Sequence, residues 1–207
     1  MFKLKKILSV FLIVSFTTIS GQTDKETSVN HIVNNWGCTR DYAEWVMSKI
    51  DEFALQIQSN FEYVTNSNDS YQVKINNIPS IINRSFVSNR SKIEVSSKTR
   101  KYPTTHYINN YLYRMAKIKK IYGYARVELL FKPDYLGIGK FSKTSENSYE
   151  LSLTMWQIFK SWYADDQLAY YDHTRKNFRL IFFVDKDNRL TNIKVDHVFV
   201  EQTLDKL

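Results

Sequence analysis

The chain has 207 residues, 29 Lys and Arg against 21 Asp and Glu for a formal charge of +8, and one cysteine. That length suits a single domain with a sizeable core. A lone Cys38 cannot staple its own chain, which excludes a small disulfide scaffold and leaves the fold to rest on packing.

Residues 1–21 read as a secretory signal: Lys3, Lys5 and Lys6, an apolar run from Ile7 to Phe16, then the small polar stretch Thr17 to Gly21. A membrane span needs about 20 apolar residues, and polar side chains begin at Thr17. Cleavage is expected after Ser20 or Gly21, giving a periplasmic or extracellular product. A lipoprotein signal places a cysteine after the cut, where this chain has Gln22, so no stable membrane anchor is expected. Three of the 29 basic residues leave with the signal, so 26 face 21 acidic ones and the charge falls to +5.

Residues 22–38 are polar and aperiodic and are expected to form a flexible leader. From Asp41 to Phe61, apolar residues recur at three- and four-residue steps and predict a helix, with Asp41 and Glu44 as its capping box. Residues 66–103, rich in Asn and Ser and mostly basic, read as an irregular insert. Its repeat NRSFVSNRS suggests a nucleic-acid contact, but the charges are spread out with no binding motif, so no nucleic-acid partner is expected. A second helix should follow Pro103, capped by Thr104 or Thr105 and ended by Gly123. Arg114, Lys117 and Lys120 edge it, either as a solvated face or as a contact for an anionic surface.

After Gly123 the period changes to two. Val127, Leu129 and Phe131 alternate with charged residues until Pro133; Tyr135 to Lys143 suits a bent strand; Ser142 to Ser148 reads as a polar turn; and a long strand runs from Tyr149 toward Tyr163. One domain is therefore expected over residues 39–202, with a tail at 203–207.

The stretch DKDNRLTNIKVD, Asp185 to Asp196, has carboxylates at the first, third and last places of a calcium loop. Strand-like residues flank it where such a loop needs helices, and Arg189 and Leu190 occupy the places of an oxygen ligand and a glycine. It reads better as a hairpin turn. Closing the ladder across Val184 and Arg189 would face Phe182 with Thr191, Leu180 with Ile193, Phe178 with Val195 and Lys176 with His197. In that register Asp172 and His197 share a face about 13 Å apart, at about 3.3 Å per residue, and cannot form one cluster with His173. No metal site and no cofactor is expected.

Two long helices followed by antiparallel strands, ending in YDHTRKNFRLIFFVDKDNRLTNIKVDHVFV, resemble the cystatin-like group that includes nuclear transport factor 2-like and ketosteroid-isomerase-like domains. The resemblance implies a strongly curved sheet wrapped around helices with a conical cavity between them. Members include enzymes, ligand binders and dimerisation modules, so fold alone does not select a function. The order of elements by itself predicts an α+β domain with N-terminal helices packed on a curved antiparallel sheet.

Three functions compete. A non-catalytic binding or assembly module would take a small apolar or sugar-like ligand, or pair with a protein or a second copy. Trp156, Trp162, Tyr163, Tyr171 and Phe199 are its candidate contacts, because Tyr and Trp offer apolar faces with a polar tip; ordinary strand packing is the alternative for each. An isomerase- or dehydratase-like enzyme would use His197, Asp172 and Tyr170 as acid or base in the cone. His197, placed among Ile193, Val195 and Phe199, could equally be a satisfied core histidine. A structural envelope protein with a basic surface is the third reading.

Overall fold

The computed structural model describes residues 25–65, 68–97, 101–187 and 189–204; the expected signal segment lies outside them. The chain divides into two compact units, Met1–Met47 and Ser48–Leu207. In the first, the leader expected to be flexible is instead helical over residues 25–36 (α1). Val29 and Ile32, one turn apart, are fully buried, and Gly37 ends the helix at φ 65°. Helix α2 (Arg40–Thr65) begins in this unit. Its first-turn acceptor is Thr39 rather than Asp41: Thr39 Oγ1 accepts from the Tyr42 N–H at 3.3 Å. Arg40 pairs with Glu26 and, at 3.0 Å, with Glu44.

The second unit is α+β: helices first, then a strongly curled, mostly antiparallel sheet. The later part of α2 turns Ile50, Phe53, Ala54, Ile57 and Phe61 inward at three- and four-residue steps. Phe61 then meets Phe131 edge-on at 5.9 Å, and Phe131 meets Phe178 at 5.9 Å, which joins the helix to the sheet. Tyr135 adds a polar tie, donating to Asp51 at 2.6 Å.

The insert expected to be irregular contains a 15-residue helix, α3 (Tyr71–Ser85). Ser70 caps it through the Val73 N–H, and Lys74, Ile78, Ile81, Ile82 and Ser85 form its buried stripe. Strand β1 (Lys92–Val95) follows. Thr104 and Thr105, expected as helix caps, lie in a strand, β2 (Thr104–Tyr107); the helix starts later as α4 (Ile108–Ala116), with a short α5 (Ile118–Tyr122) ended by Gly123 at φ 75°.

The remaining strands are β3 (Arg126–Ile138), β4 (Ser142–Ser145), β5 (Ser148–Trp162), β6 (Leu168–Val184) and β7 (Leu190–Leu204). The sheet order is β2-β1-β7-β6-β5-β3, with β4 beside β5. Strands β1 and β7 pair in parallel. Strand β3 runs through Pro133, where the sequence suggested a stop, because it lies at the end of the sheet and a missing N–H is tolerated there. Its pairing slips between Asp134 and Ile138, beside Gly137, where a Cβ would lie 2.7 Å from Thr154 Oγ1. The segment read as a polar turn, Ser142 to Ser148, holds β4 and only then turns.

The final hairpin does turn at its aspartates: Asp185 Oδ1 accepts from the Asp187 and Arg189 N–H groups, each at 2.9 Å. Its carboxylate is thus engaged in local turn bonding. The register differs from the expected one. Val184 pairs with Leu190, Phe182 with Ile193, Leu180 with Val195, Arg179 with His197 and Phe178 with Val198, with irregularities between Phe183 and Val184 and between Arg179 and Leu180. The apolar faces still coincide. Asp196 is an extra residue between two pairs, so parity flips and Val198, not His197, continues the buried row.

Two substitutions check this assignment. Leu180→Ala removes a side chain that is 0% exposed and should lower stability by about 2–5 kcal/mol. Phe199→Ala, at a residue 42% exposed on the other face, should change it by about 0.5 kcal/mol. Urea midpoints of the two variants measure both.

Candidate functional site

Along β6 the inward side chains change character. Phe178, Leu180 and Phe182 are buried core residues, and the same row continues toward the start of the strand as Lys176, Thr174 and Asp172, all buried as well. Antiparallel pairing sets Gln157 opposite Thr174 and Phe159 opposite Asp172. These side chains form one wall of a cavity of about 270 Å³. Helix α4 closes the other side with Tyr111, Arg114 and Met115, continued by Ile118 and Tyr122 of α5; the ends of β1 and β2 contribute Ser96, Ser97 and His106. The cavity therefore combines apolar side chains with polar groups from both the sheet and the helical side, a mixture found in small-molecule sites.

The polar row is internally bonded. Tyr170 donates to Asp172 Oδ2 at 2.9 Å, and Thr174 Oγ1 lies 3.4 Å from Asp172 Oδ1. Thr174 Oγ1 is also 3.5 Å from Ser96 Oγ, which accepts from Thr203 at 2.6 Å. Lys176 donates to the Glu94 carbonyl at 3.2 Å, while the Glu94 carboxylate accepts from the Val200 N–H at 2.8 Å. On the helical side Arg114 donates to the Tyr122 hydroxyl at 2.5 Å, and His106 Nε2 lies 3.2 Å from Thr104 Oγ1.

Electrostatics separate this row from ordinary surface charges. Burial pulls the Lys176 ammonium down to about 8, against the opposing pull of Asp172 and Glu94. The Tyr111 phenol moves the other way: burial raises it, Asp172 adds to the rise, and Arg114 opposes it. At neutral pH the cavity thus offers hydroxyl donors, an amine that loses its proton more readily than an ordinary lysine, and a buried aspartate bonded by a tyrosine.

The expected site residues divide sharply. Asp172 and Tyr170 line the cavity and are joined by a hydrogen bond. His197, expected on its wall, is not there: the parity flip at Asp196 turns it to the opposite face, where it lies 2.9 Å from Asp196 and stacks on Phe199 at 5.5 Å. The five aromatic candidates are also absent from the lining. Trp156 and Tyr171 lie on the outer parity of their strands, with His173 against Trp156 at 4.5 Å. Trp162 lies beneath Arg126 at 3.7 Å, Tyr163 is exposed beyond the end of β5, and Phe199 follows His197 outward. That outer face also carries an ion-pair ladder in which Arg175 meets Asp134 and Glu201, and Arg179 meets Glu150 and Asp196.

Lys176, Tyr111, Arg114 and His106 were missed from sequence. For Lys176 the signal was present in its alternation with Phe178, Leu180 and Phe182: a lysine sharing the parity of a core row is either a strand-end residue or a site residue.

No family model matches this chain, and no curated protein matches it. Solved structures with a similar course include a protein of Novosphingobium aromaticivorans provisionally assigned as a scytalone dehydratase, at 9% identity and TM-score 0.41 over 82% of this chain and 93% of that one. A protein of Kribbella flavida follows at 7% identity and TM-score 0.38, over 76% and 95%. One of Catenulispora acidiphila has 9% identity and TM-score 0.33, over 76% and 94%. Similarity at this level assigns neither family nor activity.

The Lys176 environment gives a pH test. The unfolded chain holds this proton up to about pH 10.4, whereas the folded chain releases it near 8. Between those values the unfolded state binds more protons, so the buried charge costs most below pH 8 and stability rises with pH as the cost is relieved. Tyr111 and Tyr135, both held above the ordinary phenol range, act in the opposite sense but are common to both chains in the comparison. Lys176→Met should remove the rise, so the urea-midpoint difference between variant and parent shrinks from pH 8 to pH 10.

Proposed function

We propose that this is an exported small-molecule-binding protein of the cystatin-like, nuclear transport factor 2-like layout, and that its ligand occupies the cavity between β6 and α4. The observation that carries the proposal is the buried row Asp172, Thr174 and Lys176 facing a cavity whose apolar part is lined by Met115, Ile118 and Phe159. A buried ammonium and a buried carboxylate are costly in a binding-inert core. A ligand with an apolar body and one polar group fits this division, its polar end toward β6 and its body against Met115, Ile118 and Phe159.

The residues proposed from sequence as contacts belong to a different part of this picture. Trp156, Tyr171 and Phe199, on the outer sheet face, are candidates for a protein partner or a second copy rather than for the ligand. A catalytic reading is favoured by one observation, the Tyr170 hydrogen bond to buried Asp172. That pair could move a proton to or from a bound substrate, as isomerases and dehydratases require. His197 has no role in this reading.

Occupancy is measured by thermal unfolding in the presence of a panel of aromatic alcohols, carboxylates, carbonyl compounds and sugars. A ligand at a hundred times its Kd should add about 2.7 kcal/mol. Ser97→Trp, placing a large side chain at a partly exposed lining position, should abolish that gain while leaving the unliganded midpoint nearly unchanged. If no compound shifts the parent chain, or if the variant responds equally, the cavity is not the binding site. Export is checked separately: the protein recovered from the periplasmic or extracellular fraction should begin at Gly21 or Gln22 by N-terminal sequencing.

A further inference from the structure

We propose that Lys176 captures an aldehyde or ketone in the cavity as an imine, so that the ligand belongs to the carbonyl compounds. This rests on the reading of the cavity as a ligand site and adds a covalent step to it. Lys176 is only 2% exposed, lines the cavity, and donates to a backbone carbonyl, that of Glu94. Among the described residues it is in no ion pair. Asp172 and Glu94 act on the ammonium without closing an ion pair and burial outweighs them, and the neutral amine is the form that carries a nucleophilic lone pair.

The same burial that costs stability therefore favours the reactive form. With its ammonium pulled below the ordinary lysine range by burial, a larger share of Lys176 is neutral near pH 7.4 than of a surface lysine. The cavity supplies what the reaction also needs. Apolar walls from Met115, Ile118 and Phe159 hold the body of the compound and limit the water that would hydrolyse the product.

The step balances without an oxidant or reductant. The Nζ lone pair attacks the carbonyl carbon, a C–N bond forms, and the C–O π pair moves to oxygen. The two amine hydrogens then leave with that oxygen as water, and the C=N bond completes the imine. Hydrolysis reverses the sequence and returns the free amine.

The test treats the full exported chain with naphthaldehyde and sodium cyanoborohydride, which reduces an imine to a stable secondary amine, followed by intact mass and peptide mapping. The expected result is one naphthylmethyl group per chain, on Lys176, formed before the surface lysines react. Lys176→Met should lose this early adduct and keep only the slow surface labelling. The proposal is overturned if label spreads over surface lysines while Lys176 stays unmodified in the folded parent chain. Naphthalenemethanol, similar in shape but without a carbonyl, separates the two readings by thermal shift. If it stabilises the chain while Lys176 remains unlabelled, the cavity binds ligands and the imine falls alone; with neither stabilisation nor label, both fall.

Discussion

The inward row of β6 is the constraint on which the rest of the second unit depends. Side chains alternate strictly along a strand, so once Phe178, Leu180 and Phe182 are committed to the core, Lys176, Thr174 and Asp172 are carried inward with them. Neither α4 nor β5 could leave these polar groups in water without also exposing the apolar row. The site is thus an extension of the core past the point where apolar residues run out, and the cavity lies where the packing partners of the polar residues are incomplete. Its position follows from the sheet rather than from a loop, which holds the lining groups on regular backbone.

The same alternation explains how much could be read from sequence. The strand order of periods, the turn at Asp185, the core parity of Phe178, Leu180 and Phe182, and the α+β architecture were all visible, because each depends on local spacing or on one residue type at a turn. The histidine was misplaced because a bulge is a tertiary feature. One extra residue at Asp196 leaves Ile193 and Val195 correct and reverses His197 to Val200, until a second extra residue at Glu201 restores the parity, and nothing in the letters VDHVFV distinguishes the two outcomes except that Val198 suits the core as well as His197 does. The aromatic candidates lie off the cavity lining for a related reason: large aromatic side chains suit both faces of a sheet, so their number along β5 and β6 does not tell which side is enclosed.

Helix α3 shows a different limit. Its Asn and Ser content and Pro79 argue against helix, yet Ser70 supplies a cap and Ile78, Ile81 and Ile82 bury one face. Packing outweighed weak propensity. The α1 region failed similarly, because two buried residues, Val29 and Ile32, are a short pattern in a polar sequence. Lys176 illustrates the opposite balance, a residue unfavourable to stability retained inside the fold. Its cost is the physical reason for treating it as functional, since replacement of a buried charge by an apolar side chain of similar volume is often neutral or stabilising.

Strand β3 has one more consequence. It forms an end of the sheet, where unpaired backbone groups would offer a template for another chain. Pro133 lies within it, Lys132 precedes the proline, and the ladder slips beyond Asp134. A chain approaching this rim meets a missing donor, a charge and a break in spacing within a few residues, so the rim resists growth into a continuous cross-molecular sheet. Such protection suits a chain that must complete a wide, slowly assembled sheet before fibril-like pairing can compete.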